Sequence, residues 1–545
     1  MRPRFKELTS SQIVLFPASI DEKIPQDHPV RLVNEIVDNL NIEDIIEGYK
    51  GGGTTSFHPR MLIKVLFFGY FNNVYSCRKI AELLEQNIYF MWLSGNSTPD
   101  FRTINNFRGK RLQGKIQKLF GDIVKMMAEL GYISLDKQFV DGTIMESAAN
   151  RYTFVWRKSI ERNKANLEEK LNKVLSDIEQ SIKSDKIELT KTVEEKKINR
   201  DLLKEKLDEL NKQRSELNKE QHKALNKIEK EQLPKLDQYE NQLEILGDRN
   251  SYSKTDPDAT FMRTKEDILK NAELRPAYNV QISTENQILT NFSLHQNPGD
   301  TTTLIGHQEQ FYSLYGKNSK QVVADAGFGS EQNYEYLDNI GSEAFVKYNY
   351  FDQEQKKGFK DKLFHIENLF YNEEQDFYVC PIGQRMYPFK TGSRLSVQGY
   401  ESELVYYKAR NCTGCPMRSM CFNAEEPDRV ISVSPKLRQL KKQARKRLLS
   451  EEGIELRKRR SIEVEAVFGQ LKSNNRYKRF RMYGLVKIEI DLGLAAIGHN
   501  LRKWARKLEN TTKNPLNGLF SCFIRQIGLI KVQNRLLTTR ITLHA

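Results

Sequence analysis

The chain has 545 residues, 39% hydrophobic and 29% charged, with a net charge of +15 and a pI near 9.2. That length exceeds one ordinary core, so roughly two to four structural units are expected. The basic excess points to a polyanionic partner, nucleic acid foremost, with a merely well-solvated surface as the alternative. The longest apolar run, MLIKVLFFGYF, is broken by Lys64 and falls short of a membrane span, and MRPRFKELTSSQ leads into no signal-peptide pattern. A cytoplasmic protein with no membrane partner is expected.

Residues 1–135 read as an all-helical N-terminal domain. Pro59 opens a helix whose apolar face is Met61, Leu62, Val65, Leu66 and Phe68, and a second begins near Ser76 with Ile80, Leu83 and Leu84 at helical spacing. A third starts around Thr98, Pro99 and Asp100 and continues through FRTINNFRGKRLQGKIQKLF. Two short helices and a basic third outline a helix-turn-helix-like DNA reader, with Arg102, Arg108, Lys110 and Arg111 on phosphates. An ordinary bundle with a solvated basic face fits the pattern equally well.

Residues 136–158 carry QFVDGTIMESAAN, a buried strand expected to end on Asp141 just before Gly142. From 159 to 246 the composition turns to Lys, Glu, Leu, Asn and Gln. Leu167, Leu171, Val174 and Ile178, then Leu203, Leu207, Leu210, Leu217, Ala224 and Ile228, recur in four-and-three spacing, the pattern of coiled-coil helices. A break at Ser184 and Asp185, with a stop or kink at Pro234, gives an antiparallel hairpin. A short connection favours that over pairing with a second subunit.

Residues 247–349 resume strand patterning. Tyr278, Val280 and Ile282 alternate with polar residues, Thr284 to Gln287 makes a turn, and Ile288, Thr290 and Phe292 alternate again, giving a β-hairpin. Asp300 is expected to cap a helix through Leu304, Phe311 and Leu314, after which Val322, Val323 and Ala324 run out into Asp325. EAFVKYN supplies one more strand. Asp256 and Asp258 read as loop structure.

Residues 350–435 show short aromatic-rich strands and four of the six cysteines. Cys380, Cys412, Cys415 and Cys421 suit a tetrahedral structural zinc in a cytoplasmic chain, although the irregular spacing leaves unligated thiols as the alternative. Cys77 and Cys522 read as buried apolar residues. Residues 436–510 begin with Lys436, Arg438, Lys441, Lys442, Arg445, Lys446 and Arg447, then Arg457 to Arg460, and pass into the helix SIEVEAVFGQLKSNN. Val464, Val467, Phe468 and Leu471 form its apolar stripe, with Glu465 and Lys472 together along one edge and Glu463 across it. The segment NNRYKRFRMYGL then interleaves Arg476, Lys478, Arg479 and Arg481 with Tyr477, Phe480 and Tyr483. That mixture suits a nucleic-acid strand held by its phosphates with a base stacked or flipped nearby, or else a loop whose aromatics pack on the core. Residues 511–545 form a tail.

Singly, Asp141 and Asp325 read as turn formers and Glu465 as half of a surface ion pair. Together, QFVDGTIMESAAN, QVVADAGFGSEQNYEYL and SIEVEAVFGQLKSNN, with HPRMLIKVLFFGYFNNVYSCRKIAE before them and RMYGLVKIEIDLGLAAIGHNLRKW after, resemble the insertion-sequence transposases of the DDE type. The resemblance implies an RNase H-like mixed sheet core; with the all-α N-terminal domain, the coiled-coil hairpin insertion and the small cysteine-containing β-insertion read above, the fold class expected is α/β. It implies Asp141, Asp325 and Glu465 as catalytic ligands of two magnesium ions, or manganese in their place, with Lys472 holding a DNA phosphate. The signature's tyrosine and arginine fall here on Lys458 and Ser461, so those roles do not transfer, and Arg457, Arg459 or Arg460 is left for the phosphate contact.

The implied activity is cleavage of an element's ends and their joining to target DNA. The implied partners are double-stranded DNA, as terminal inverted repeats and target, and a second copy of the chain in a dimer or larger assembly on DNA. The implied setting is the bacterial nucleoid. The rival readings are a catalytically inactive, transposase-derived DNA-binding protein and an RNase H-like nuclease without strand transfer.

Overall fold

The structure is a computed structural model that describes residues 19–49, 55–184, 219–264, 273–423 and 425–512, together with Lys204, Leu207 and Asp208. Leu203, Leu210, Leu217, Asp185, Cys522 and the tail beyond residue 512 lie outside the described residues.

Strands β1 (Lys137–Glu146), β2 (Phe154–Trp156), β3 (Ser251–Ser253), β4 (Thr260–Arg263), β5 (Leu274–Glu285), β6 (Ile288–His295), β7 (Gln321–Ala324) and β8 (Glu343–Val346) come first in the chain. β1 lies at the centre of the main sheet. It pairs antiparallel with β5 and parallel with β7, which is parallel to β8, while β5 also carries β4 and β6. The strand was expected to stop on Asp141 but runs on to Glu146. The reason is that β5 keeps pairing with it as far as Ala277, whereas β7 ends opposite Val140.

β7 and β8 are covered on both faces, which explains their unbroken apolar runs. Asn286 and Gln287 turn the β5–β6 hairpin with φ of 55° and 59°, the left-handed pair a two-residue hairpin turn requires. Asp300 does not cap the following helix. It begins a 3-10 turn, and its carboxylate accepts instead from Asn279 Nδ2 at 2.9 Å and Gln281 Nε2 at 2.7 Å.

The N-terminal helices include Pro29–Asn39, Pro59–Phe71, Cys77–Gln86, Ile88–Ser94 and Phe101–Asn106. The long third helix of the sequence reading is split. A π-type turn over Phe107–Arg111 and Gly114 at φ 68° separate Phe101–Asn106 from Ile116–Glu129. These helices, the main sheet and the helix Leu485–Thr512 share one continuous core containing Tyr70, Phe120, Phe292 and Trp504.

Arg108 lies inside that core at 5% exposure and donates to Tyr70 Oη, the Tyr75 carbonyl and Asn105 Oδ1, so it is not a phosphate contact. Arg111 donates to the Gly48 carbonyl and lies over the Tyr49 ring, while Arg102 and Lys110 remain exposed.

Between β2 and β3, the helix Arg157–Ser184 packs against Leu233–Leu246, and Leu171, Leu175 and Leu236 share an apolar cluster with Leu225 and Ile228 from the helical stretch just before Leu233. Pro234 opens the last of these helices, just after a π-type turn over Ile228–Gln232. Further on, β9 (Phe370–Asn372), β10 (Phe377–Val379), β11 (Arg385–Leu395), β12 (Glu401–Ala409) and β13 (Val430–Val433) form a second, antiparallel sheet. β11 and β12 have 11 and 9 residues, longer than the short strands expected. Among the described residues no helix is long and apolar enough to cross a membrane.

Candidate active site

Parallel pairing of Val140 with Ala324 puts Asp141 and Asp325 side by side at the carboxyl end of the strand pair. Side chains alternate along a strand, so Phe139, Asp141 and Thr143 share one face of β1. The helical stretch from Glu451 to Asn474 lies along that face. Arg459 sits over the Phe139 ring, Arg460 Nη1 lies 3.2 Å from Asp141 Oδ2, and Lys472 Nζ donates to Thr143 Oγ1 at 2.8 Å and the Ile144 carbonyl at 3.1 Å.

Arg460 is the meeting point of the three acids. Its Nη2 lies 3.6 Å from Asp325 Oδ2 and 3.4 Å from Glu465 Oε1. Asp141 Oδ1 also accepts the Gly142 N–H at 2.8 Å, and Lys347 Nζ stands 3.5 Å from Asp325 Oδ1. Burial alone would raise the Asp325 carboxyl, but the Arg460 guanidinium, the Ala326 N–H and Lys347 outweigh it and hold that carboxyl below its ordinary range.

The helix is not regular here. Ser461–Glu465 and Gln470–Asn474 adopt π-type hydrogen bonding on either side of Ala466–Gly469. In an α-helix the neighbour one turn before Glu465 is Ser461, whereas in an i→i+5 ladder it is Arg460. The one-residue expansion thus brings an arginine beside the glutamate where straight helical counting finds a serine. Of the three arginines left for the phosphate contact, Arg460 faces the acids. Arg459 pairs with Glu463 and Asn286, and Arg457 donates to the Leu448 carbonyl. Lys347 was missed. Its signal was a lysine one residue past the apolar part of EAFVKYN, where parallel register sets it opposite Asp325.

Other basic residues have duties the sequence did not reveal. Lys436, Lys441, Lys442, Arg445 and Arg447, a run without acids of its own, pair with Glu335, Glu367, Glu373, Glu354 and Asp338 from elsewhere in the chain. Tyr477 and Phe480 are buried at 1% each, so the core-packing alternative holds for them, whereas Tyr483 is exposed. Arg479 donates to the Ser147 and Ala149 carbonyls, and Arg481 lies over the Tyr75 ring. Arg476 and Lys478 are exposed. Asp256 accepts from Ser147, Tyr278 and the Gly484 N–H, and Asp258 from the Leu485 N–H, so both serve the start of the helix Leu485–Thr512.

Cys380, Cys412, Cys415 and Cys421 line one small cavity beside Arg429, whose N–H faces Cys412 Sγ at 3.4 Å and whose Nη1 faces Cys421 Sγ at 3.1 Å. Cys77 is buried, as expected. Among the described residues no group of three or more His, Cys, Asp or Glu side chains is arranged to hold a metal ion. At the acids, a guanidinium stands between the carboxylates.

Fold and site together define an α/β protein in which Asp141 and Asp325, where the parallel pairing of β1 and β7 ends, meet Glu465 on a helix that also bears arginine and lysine. Residues 18–110 match the family described as Transposase domain (DUF772), and residues 379–505 match Transposase DDE domain. Both matched families are transposase domains, and together they support an insertion-sequence DDE transposase. Glu465, Lys472 and the four cysteines fall inside the second match, and Asp141 and Asp325 fall outside both. No curated protein matches the chain.

Proposed function

We propose that the chain cuts the ends of its own element and joins them to target DNA by phosphoryl transfer assisted by two magnesium ions, with Asp141, Asp325 and Glu465 as ligands. The observation that carries this reading is that three carboxylates, one within β1, one just past β7 and one on a helix, lie within 3.6 Å of one guanidinium. So much converging negative charge calls for a cation, and oxygen donors of this kind suit a hard divalent ion. Bound there, such ions would activate the attacking oxygen and offset charge on the departing one.

The strand order β6-β5-β1-β7-β8, with only the last two junctions parallel among β1, β7 and β8, supports an RNase H-like core. The chain's own residues position the substrate. Lys472, fixed against β1, holds a phosphate beside the acids, and exposed Arg476 and Lys478 extend the basic path, with Arg479 and Arg481 along its edge. Terminal repeats and target are double-stranded DNA of the nucleoid, and bringing two ends together calls for at least a dimer on DNA. For the four cysteines the reading is a structural zinc, reached when the thiols turn inward from the cavity walls they now line.

The test is cleavage and joining of duplex DNA carrying the flanking inverted repeats, in magnesium, by the intact chain and by Asp325→Ala. Metal-dependent cutting and joined product are expected only from the intact chain. Cutting that survives the substitution removes Asp325 from the site, and cutting without joining selects the nuclease reading.

A further inference from the structure

The side chain of Arg460 is 11% exposed, and its two terminal nitrogens face one oxygen from each of Asp141, Asp325 and Glu465. Lys347 reaches Asp325 alone among these acids and divides its charge with Asp352 at 2.9 Å, and Lys472 is turned to Thr143 and the Ile144 carbonyl. Arg459, the neighbouring arginine, is committed to Glu463 at 3.0 Å and Asn286.

We infer that Arg460 is the resting counter-ion of the site, standing where a divalent cation loads, and that it transfers to a DNA phosphate when that cation arrives. The inference rests on the reading of the three acids as metal ligands. Two cations a few ångströms apart in a partly buried site repel strongly. A guanidinium cannot relieve this by losing its proton, so it must move. The arginine side chain is long, and the π-type turn that follows sets it at the rim of the site, beside exposed Glu465 and half-exposed Asp325. Its planar fork matches a phosphate, the partner that a DNA duplex would bring to the same place. Metal and DNA therefore reinforce each other. DNA gives Arg460 somewhere to go, the vacated carboxylates then take the metal more tightly, and the coupling is reciprocal.

The experiment titrates the full chain with Mn2+ and reads free ion by its EPR signal, with and without a short duplex carrying the terminal repeat. Wild type, Arg460→Gln, Arg460→Lys and Arg459→Gln are compared. Without DNA, Arg460→Gln is expected to bind Mn2+ about tenfold more tightly than wild type, within the usual range of such couplings. Arg460→Lys and Arg459→Gln should stay near wild type. Duplex should tighten binding by wild type and leave Arg460→Gln almost unchanged.

Melting supplies a second readout. Arg460→Gln should melt lower than wild type in chelator and recover on adding Mn2+. Equal or weaker Mn2+ binding by Arg460→Gln, with wild type binding the ion, overturns the counter-ion role alone. Absence of Mn2+ binding in every variant, with and without DNA, overturns both it and the metal reading of the three acids.

Discussion

Glu463 accepts the backbone N–H of Gln287 at 2.6 Å, tying the helix that carries Glu465 to the tip of the β5–β6 hairpin. Gln287 sits at φ 59°, a conformation that needs outside support in a residue with a side chain. It receives that support on every side. Its carbonyl accepts from His499 Nε2 at 2.9 Å and its side-chain oxygen from Lys503 at 2.6 Å.

The two glutamates of the helix therefore separate experimentally. Glu463 is 3% exposed and Glu465 is exposed. Glu463→Ala leaves a buried N–H unsatisfied and should cost about 1–3 kcal/mol of stability. Cleavage per folded molecule should persist. Glu465→Ala should melt close to wild type and lose cleavage. Melting curves beside cleavage rates decide it, and the reverse pattern would move the third carboxylate to Glu463.

Gly142 makes a similar case for the strand. A Cβ there would strike Gln281 Nε2 and lie 2.5 Å from Asp300 Oδ1, two groups already bonded to each other. Gly142→Ala should destabilise by about 1–3 kcal/mol through overpacking. It should also reduce cleavage, since relief comes from shifting the strand that carries Asp141. Comparison with Gly469→Ala, where the Cβ meets nothing within 4 Å, controls for the substitution itself.

What could be read from the residues alone, and what could not, follows from the range of the interactions. The apolar runs into Asp141 and Asp325, the Tyr278 to Phe292 hairpin and the helix stripe around Glu465 are local patterns, and they lie in strands and helices as read. Arg460 opposite Glu465 is not a local pattern, because helical counting assumes 3.6 residues per turn and the π-type stretch breaks that rule. The ion pairs of the basic run from Lys436 were not legible either. Its acidic partners are far away in sequence, so a charge cluster on paper is a set of ion pairs in space. Tyr477 and Phe480 had two open readings, and burial decided for the core.

Acid should unfold the chain through its histidines. Burial lowers His307 and His499 to about 3. His307 lies between the hydroxyls of Ser283 and Ser293, each at 2.7 Å. With the folded value below the unfolded one, near 6.5, the neutral ring's contribution is complete above pH 6.5 and is lost as pH falls toward 3. By pH 5 that is about 2 kcal/mol for each histidine, at 1.36 kcal/mol per unit. Stability should therefore fall steadily from pH 6.5 to pH 4, and His307→Gln should make that slope shallower. A flat profile over this range would contradict the burial of both rings.

The cysteine cavity gives a compositional test. Metal analysis of the purified chain should find close to one zinc per molecule, with Cys412→Ser and Cys415→Ser each lowering it. Loss of zinc to a chelator should lower the melting point of the second sheet, whose core includes Tyr378, Met386 and Tyr407 and packs against Cys380 and Cys412. Thiols that stay fully reactive and metal-free would establish the unligated alternative.

Arg108 offers the sharpest separation between a structural and a DNA-binding arginine. Its Nη1 donates to Tyr70 Oη at 3.1 Å, and Tyr70 in turn donates to Asp491, which is fully buried and also accepts the Arg481 N–H at 3.1 Å. A buried cation is thus balanced through one hydroxyl by a buried anion on the helix Leu485–Thr512. Removing either charge strands the other, so Arg108→Met and Asp491→Leu should each cost about 3–5 kcal/mol. The double variant should cost clearly less than the two together, because no buried charge is then left alone. The salt dependence of DNA binding measured on the folded fraction should not change, since Arg108 reaches no phosphate. Lys110→Ala, at an exposed position in the same turn, should leave stability nearly untouched, and any phosphate contact from this turn should show there as a shallower salt dependence. A change in salt dependence for Arg108→Met with little loss of stability would return Arg108 to the DNA-facing surface.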